Sequence, residues 1–277
     1  MNQTENMWPK ISIITISLNS SKTIERALKS VVDNAYQNIE YIVIDGKSTD
    51  GTCEIIEKYK SKISYYVSEK DKNIPDGFNK GIQKSTGDII GIVSSDDYLP
   101  SETLFSVAEE FKNDSNIDVL FGNVICYDSG GPVDWISKPD KNINKIHTGL
   151  GQTYKHAAVY VSKLAYEKYG LFDIDCLYNN DFELMLRFYS MGAKFKYVDK
   201  VLGAFQTGGD NEQHYLKNIS LLRDITIKYG LNKFQAYCVY FLKLLIYFIK
   251  KVLKKIGNQF FIKLYRKFSA RFKAIEG

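Results

Sequence analysis

The chain has 277 residues, 44% hydrophobic and 25% charged, an ordinary globular balance that suits one large α/β domain plus an appendage and shows no repeat or low-complexity block. The net charge of +5 hides an asymmetry: from Lys233 onward eleven basic residues face one acid, Glu276, so of the totals 37 and 32 the body keeps 26 basic and 31 acidic residues. Cys53, Cys126, Cys176 and Cys238 lie far apart without a CxxC pair, which argues against a zinc site or disulfide framework and fits a reducing cytosol.

The start, MNQTENMWPK, lacks the apolar core of an export signal, so an intracellular body is expected. Ile11–Ile16, Ile39–Ile44, Ile63–Val67 and Ile89–Val93 read as strands about 20 to 25 residues apart, the rhythm of βαβ units. Between them Ser21–Val32, Thr52–Tyr59 and Asp76–Lys84 carry apolar residues at helical spacing, with Ser20 or Ser21 and then Asp50 as N-caps. These units predict a largely parallel sheet buried on both faces. Pro100 and Ser101 begin a predicted helix running to about Lys112, followed by a strand at Val119–Ile125. Tyr127–Gly151 reads as a long irregular connection, a length more often functional than idle. A strand near Ala157–Val161, helices at Ser162–Tyr169 and Asp181–Met191, and a strand pair around Phe195–Phe205 complete the body.

From Phe234 the chain turns apolar and aromatic with interleaved lysines. Phe241, Leu244, Leu245, Phe248 and Val252 share one helical face, while Lys243, Lys250 and Lys254 share another. The apolar run is too short for a membrane span. It predicts a basic amphipathic helix at an anionic lipid surface, continued by a basic-aromatic segment at Phe260–Phe272, and the alternative is a helix packed on the body. The division expected is a body at 1–232 and a tail at 233–277.

The most informative stretch is DIIGIVSSDD, Asp88–Asp97, where a buried-strand pattern ends in adjacent carboxylates. Ligands of open α/β sheets sit beyond the carboxyl ends of the strands, so such a pair is placed to hold a divalent cation against a polyphosphate. The alternative is a turn or helix cap.

ISIITISLNS (Ile11–Ser20), YIVIDGKSTDGT (Tyr41–Thr52), SEKDKNIPDGFNKGI (Ser68–Ile82), GDIIGIVSSDDYL (Gly87–Leu99) and YNNDFELMLR (Tyr178–Arg187) together resemble the family 2 glycosyltransferases of the GT-A fold. The likeness covers about residues 10 to 210 and is to bacterial enzymes that build O-antigen or capsular polysaccharide. It implies a Rossmann-like, mostly parallel central sheet flanked by helices. It also implies inverting transfer of a sugar from a nucleoside diphosphate donor, a UDP sugar, to a hydroxyl of a lipid-linked saccharide. Nucleic acid is not expected as a partner, and the expected location is the inner face of the cell membrane.

Under this resemblance Asp97 is the ligand of Mn²⁺ or Mg²⁺, and Asp96 serves the ribose hydroxyls or supports the metal. Thr15, Ser17 and Asn19 emerge toward the nucleotide, although Asn19 alternatively caps the next helix. Asp45 belongs to the nucleotide pocket, with an Asx turn in the DGKSTDG loop as its competitor. Asp71 and Asn79 border the donor, and Lys80 offsets diphosphate charge. Asp181 is the base that removes the acceptor proton, because Asn180 and Glu183 form a capping-box-like pair that leaves it without a capping duty. A helix-dipole acid is the alternative for Asp181, and Arg187 pairs with an acid. His156 falls near the acceptor, with a core or loop role equally open; His147 flanks the same half, and Gly208 and Gly209 suggest a turn or gate. Two other classes share parts of this pattern. One is a nucleotidyltransferase that makes sugar nucleotides, against which the glycine-free SLNSSK after the first strand argues; the other is a non-catalytic saccharide-binding protein.

Overall fold

A computed structural model describes residues 8–128, 135–143, 154–207 and 215–255. Strands β1 (Ile11–Ser17), β2 (Ile39–Asp45), β3 (Tyr65–Ser68) and β4 (Ile89–Ile92) lie in the order β3-β2-β1-β4, all parallel. Helices α1 (Ile24–Val32), α2 (Thr52–Glu57) and α3 (Ile74–Lys84) make the crossovers. The strands are apolar on both faces because helices cover both. Ile11, Ile13, Tyr41 and Val43 pack with Ile24 and Leu28 of α1, whereas Ile14, Ile42 and Ile44 pack with Phe78 and Ile82 of α3.

Beyond β4 the sheet is mixed rather than parallel. After α4 (Thr103–Asn113), strand β5 (Val119–Asp128) leaves a gap beside β4 that β7 (Val159–Ser162) fills antiparallel to both. One edge of β5 carries β8 (Phe195–Thr207) in parallel, while its other edge takes β7 and then β6 (Trp135–Ser137). The expected strand pair at 195–205 is therefore one long strand, bent where its register against β5 shifts between Phe121 and Val124. Strand β6 lies inside the stretch expected to be irregular, since Val124, Ile125 and Cys126 supply it with a paired edge.

Helices α5 (Lys163–Tyr169) and α6 (Asn180–Ser190) cover the α3 face. Two helices close the described chain: α7 (Tyr215–Lys228), which the sequence did not lead us to expect, and α8 (Lys233–Lys255), which falls in the expected amphipathic tail. Three caps differ from expectation. Helix α1 starts at Ile24 behind Thr23, α4 has Glu102 rather than Ser101 before it, and neither has a side-chain cap. Asp50 instead binds Thr52 N and Oγ1 at 3.1 and 2.5 Å and Ser21 N at 3.0 Å, tying the start of α2 to the loop after β1.

Candidate active site

Strands β1, β2 and β4 end at one rim, and the expected acids converge there. After β4 the chain turns, with Asp97 N donating to Ser94 O at 2.9 Å, and Tyr98 bridges to Ala204 of β8. Asp97 is 1% exposed; its Oδ1 accepts from Gln206 N at 2.9 Å, while Oδ2 has no hydrogen-bond partner. Burial, and then the charge of Asp97, push the Asp96 carboxyl above its ordinary value.

Arg26, which the sequence reading passed over, secures this turn. Its Nη2 donates to Asp96 O at 2.6 Å and to Tyr127 Oη at 2.6 Å, and its guanidinium lies 4.5 Å from the Tyr127 ring centroid. Tyr127 also donates to Asp96 O. No local signal marks Arg26, since its partners lie 70 and 101 positions away.

His156 opens a 3-10 turn over His156–Ala158 that lies against β8. A Cβ at Gly203 would come within 1.8 Å of Ala157 O, so the close approach requires glycine there. The turn brings His156 Nε2 to 3.4 Å from Asp97 Oδ2 and 3.1 Å from Ser94 Oγ. Burial works against the imidazolium, but the Asp97 carboxylate, followed by Asp181 and Asp96, outweighs it and raises the histidine's pKa. His156 is thus turned toward the acid pair, with its ring edge-on to Phe205 at 5.6 Å.

Across His156, Asp181 lines a cavity together with Tyr154, Ile92, Phe172 and Met185. Asp181 lies in the first turn of α6, where its Oδ1 accepts from Phe182 N at 2.8 Å. The expected capping box is absent: Asn180 is already helical, and the N-cap is Asn179, in the left-handed region at φ 55°. Glu183 is buried and serves Arg187, at 3.1 Å, and Tyr229 instead. Arg187 therefore pairs with an acid. Tyr154, also missed from sequence, has a buried hydroxyl without a hydrogen-bond partner, and burial followed by Asp181 drives its pKa well up.

On the nucleotide side the candidates separate. Thr15 is a core residue, its Oγ1 3.0 Å from Tyr41 Oη, because β1 continues to Ser17 and position 15 shares the inward face of Ile11 and Ile13. Ser17 donates to Asp45 Oδ1 at 2.9 Å, and Asn19, at φ 50°, accepts from Thr49 N at 2.9 Å, so it ties two loops and caps no helix. Asp45 receives Ser17, Ser48 Oγ and N, Ser68 and Cys53. Its Ser48 N contact, at 2.9 Å, ties the carboxylate into the DGKSTDG loop one residue beyond the spacing of the competing Asx turn. Burial pushes the Asp45 carboxyl up, yet the Ser48, Ser68 and Ser17 donors prevail and hold it below its ordinary value.

Asp71 reaches the rim, its Oδ2 lying 3.2 and 3.1 Å from where Cβ atoms on Gly46 and Gly77 would stand. Asn79 does not reach it: its amide donates to Phe172 O and accepts from Phe172 N, both at 2.9 Å, which spends it on joining α3 to the chain before α6. Lys80 is likewise engaged, at 2.7 Å from Asp71, 2.8 Å from Glu69 and 3.6 Å from Asp76. Burial disfavours its charge, but Asp71 and Glu69 more than restore it, so Lys80 sits as a cation among acids. His147, Gly208, Gly209 and Phe260–Phe272 lie outside the described residues.

The chain and its fold have named counterparts. An archaeal protein of Methanococcus voltae, dolichyl N-acetyl-alpha-D-glucosaminyl phosphate 3-beta-D-2,3-diacetamido-2,3-dideoxy-beta-D-glucuronosyltransferase, is 26% identical over 237 residues, covering 76% of this chain and 71% of that protein. The crystal structure of S. aureus TarS 1–349 with UDP-GlcNAc superposes with a TM-score of 0.62 at 20% identity, over 85% of this chain and 71% of that one. The mannosyltransferase PcManGT of Pyrobaculum calidifontis, with GDP-Man and Mn²⁺, gives 0.61 at 16% identity over 96% and 84%. These structures share the GT-A-like fold expected from the sequence. The glycosyl transferase family 2 model matches residues 12–173, more than half of the chain, and on that match the chain belongs to this family.

Proposed function

We propose that this chain is an inverting glycosyltransferase that moves one sugar from a nucleoside diphosphate donor, a UDP sugar, to a hydroxyl of a lipid-linked saccharide in bacterial surface polysaccharide synthesis. The observation that carries the proposal is the buried Asp97 Oδ2, an anionic oxygen without a hydrogen-bond partner at the rim where three parallel strands end. A buried carboxylate oxygen that accepts no hydrogen bond and has only a long ion-pair contact to His156, at 3.4 Å, is costly unless something binds it more closely. Asp97 fits Mn²⁺ or Mg²⁺, both of which take hard oxygen ligands. Bound there, the ion would stabilise charge gathering on the leaving diphosphate.

The chain's residues supply the rest. Asp96, held through its backbone by Arg26 and Tyr127, faces the ribose; Ser17, Asn19, Asp45 and Asp71 shape the nucleotide floor. In the transfer, the acceptor oxygen bonds to the anomeric carbon while that carbon's bond to the diphosphate breaks, and the bonding pair leaves with the diphosphate. Asp181 takes the acceptor proton from the cavity it shares with Tyr154. Attack opposite the leaving group inverts the anomeric centre.

The division into a transferase body at 1–232 and a membrane-facing tail at 233–277 belongs to this proposal, as does a location on the inner face of the cell membrane. Among the described residues no helix is long and apolar enough to cross a membrane. The test is nucleoside diphosphate release across a donor panel, with metal added or chelated, on wild type, Asp97→Ala and Asp181→Asn. Asp97→Ala is expected to lose metal-dependent turnover. Asp181→Asn is expected to bind donor but to lose transfer by about 100-fold or more; transfer at the normal rate would remove Asp181 as the base.

A further inference from the structure

Tyr154 carries a hydroxyl that the transfer step leaves unused. The residue is 3% exposed, its ring packs on Phe121 with centroids 5.9 Å apart, and its Oη has no hydrogen-bond partner among the described residues. A buried hydroxyl with no hydrogen bond costs free energy that phenylalanine at the same place would not. The cavity that Tyr154 lines offers it a partner. That cavity measures about 20 Å³, room for one water molecule. Apolar walls such as Ile92, Phe172 and Met185 are interrupted there by Tyr154, His156 and Asp181, the polar groups that a trapped water needs. Burial, and then the charge of Asp181, drive the Tyr154 pKa well up, so the hydroxyl stays protonated and is a donor.

We propose that Tyr154 positions the base: its hydroxyl donates to one buried water, and that water donates to the Asp181 carboxylate. The inference rests on the reading of Asp181 given above and deepens it. Asp181 Oδ1 accepts from Phe182 N at 2.8 Å, a bond to the neighbouring residue about which the carboxylate can still turn. A second, charge-assisted bond from the cavity side fixes its plane, so that it meets the acceptor hydroxyl in one orientation.

The test compares crystal structures and turnover of the full chain as wild type, Tyr154→Phe and Asp181→Asn. Wild type is expected to show a water within about 3 Å of both Tyr154 Oη and the Asp181 carboxylate. In Tyr154→Phe that water should be gone and the carboxylate turned from its wild-type orientation. Nucleoside diphosphate release from UDP, GDP and dTDP sugars, with water as the acceptor probe, should fall about 10-fold in kcat for Tyr154→Phe, at unchanged donor KM and with a melt close to wild type. A wild-type crystal without the water, or a variant whose carboxylate keeps its place, overturns the proposal, and the wild-type crystal decides even where the variant fails to fold. If Asp181→Asn loses release while Tyr154→Phe keeps it, the role of Tyr154 falls and the base stands. If Asp181→Asn keeps it, both readings fall.

Discussion

Glu40 shows how single residues set the level of the site's rim. Its carboxylate accepts from Ser12 Oγ at 2.5 Å, Thr86 N at 2.7 Å, Thr86 Oγ1 at 2.6 Å and Lys10 Nζ at 3.0 Å. Those bonds join β1, β2 and the approach to β4, so the strands enter the sheet in register and leave it together at the acid pair. Burial raises the Glu40 pKa, but the Ser12, Thr86 and Lys10 donors outweigh it and bring it down to about 2. A carboxyl lowered in the folded state contributes stability in full above its unfolded value, ordinarily 4.5, and loses it as pH falls toward 2. Glu40→Gln is therefore expected to cost about 1 to 3 kcal/mol at pH 7 in urea unfolding, with the gap to wild type closing between pH 4.5 and 2. A gap that stays constant over that range would count against this account. Residue roles were unevenly legible for a related reason. Asp97 announces itself by ending an apolar run, whereas Asn79 looks like a donor contact until Phe172, 93 positions away, takes both of its amide groups.

At the scale of elements, β8 organises the site. It bridges Tyr98, anchors Asp97 and, through Gly203, seats the turn that carries His156. Gly203→Ala would place a methyl 1.8 Å from Ala157 O, a backbone atom unable to rotate aside. It is expected to lower unfolding free energy by about 1 to 3 kcal/mol and, under the proposed function, to reduce sugar transfer by shifting the turn beside Asp97. A variant with wild-type melting and turnover would show that the turn moves freely. The four parallel strands were readable because βαβ spacing is local, a strand, a helix and a strand within a few tens of residues. The mixed half was not, because β5 pairs with β7 and β8 over long separations, and nothing in either strand's own pattern names its partner.

At the scale of the whole molecule, α8 divides its two faces. Ala236, Val239, Tyr240 and Lys243 turn toward Ile219, Leu222, Arg223 and Thr226 of α7, and Tyr215 stacks on Tyr247 at 5.1 Å. Phe241, Leu245, Phe248 and Val252 remain exposed, so the packing alternative accounts for one face and leaves a stripe open. In our proposal that stripe, with the basic residues of the tail, meets an anionic lipid surface, where each nearby Lys or Arg is worth about 1 kcal/mol. Phe241→Asp with Phe248→Asp keeps the α7 contact. This pair should release the protein from phosphatidylserine vesicles while donor hydrolysis continues, and the wild-type association should weaken with salt. Vesicle association unchanged in the double variant would end the lipid reading.

What the sequence by itself determined is what repeats or interrupts locally: the parallel half of the sheet, the acids that close its strands, the helix bearing Asp181 and the shift to a basic, apolar tail. Only the tertiary structure decided which polar groups are spent on the protein and which are left for a ligand. Hydrogen-bond partners are assigned by proximity in space, and Asp97 and Lys80 look alike along the chain as charged residues at a rim. One keeps an oxygen without a hydrogen bond, 3.4 Å from His156, while the other is enclosed by acids.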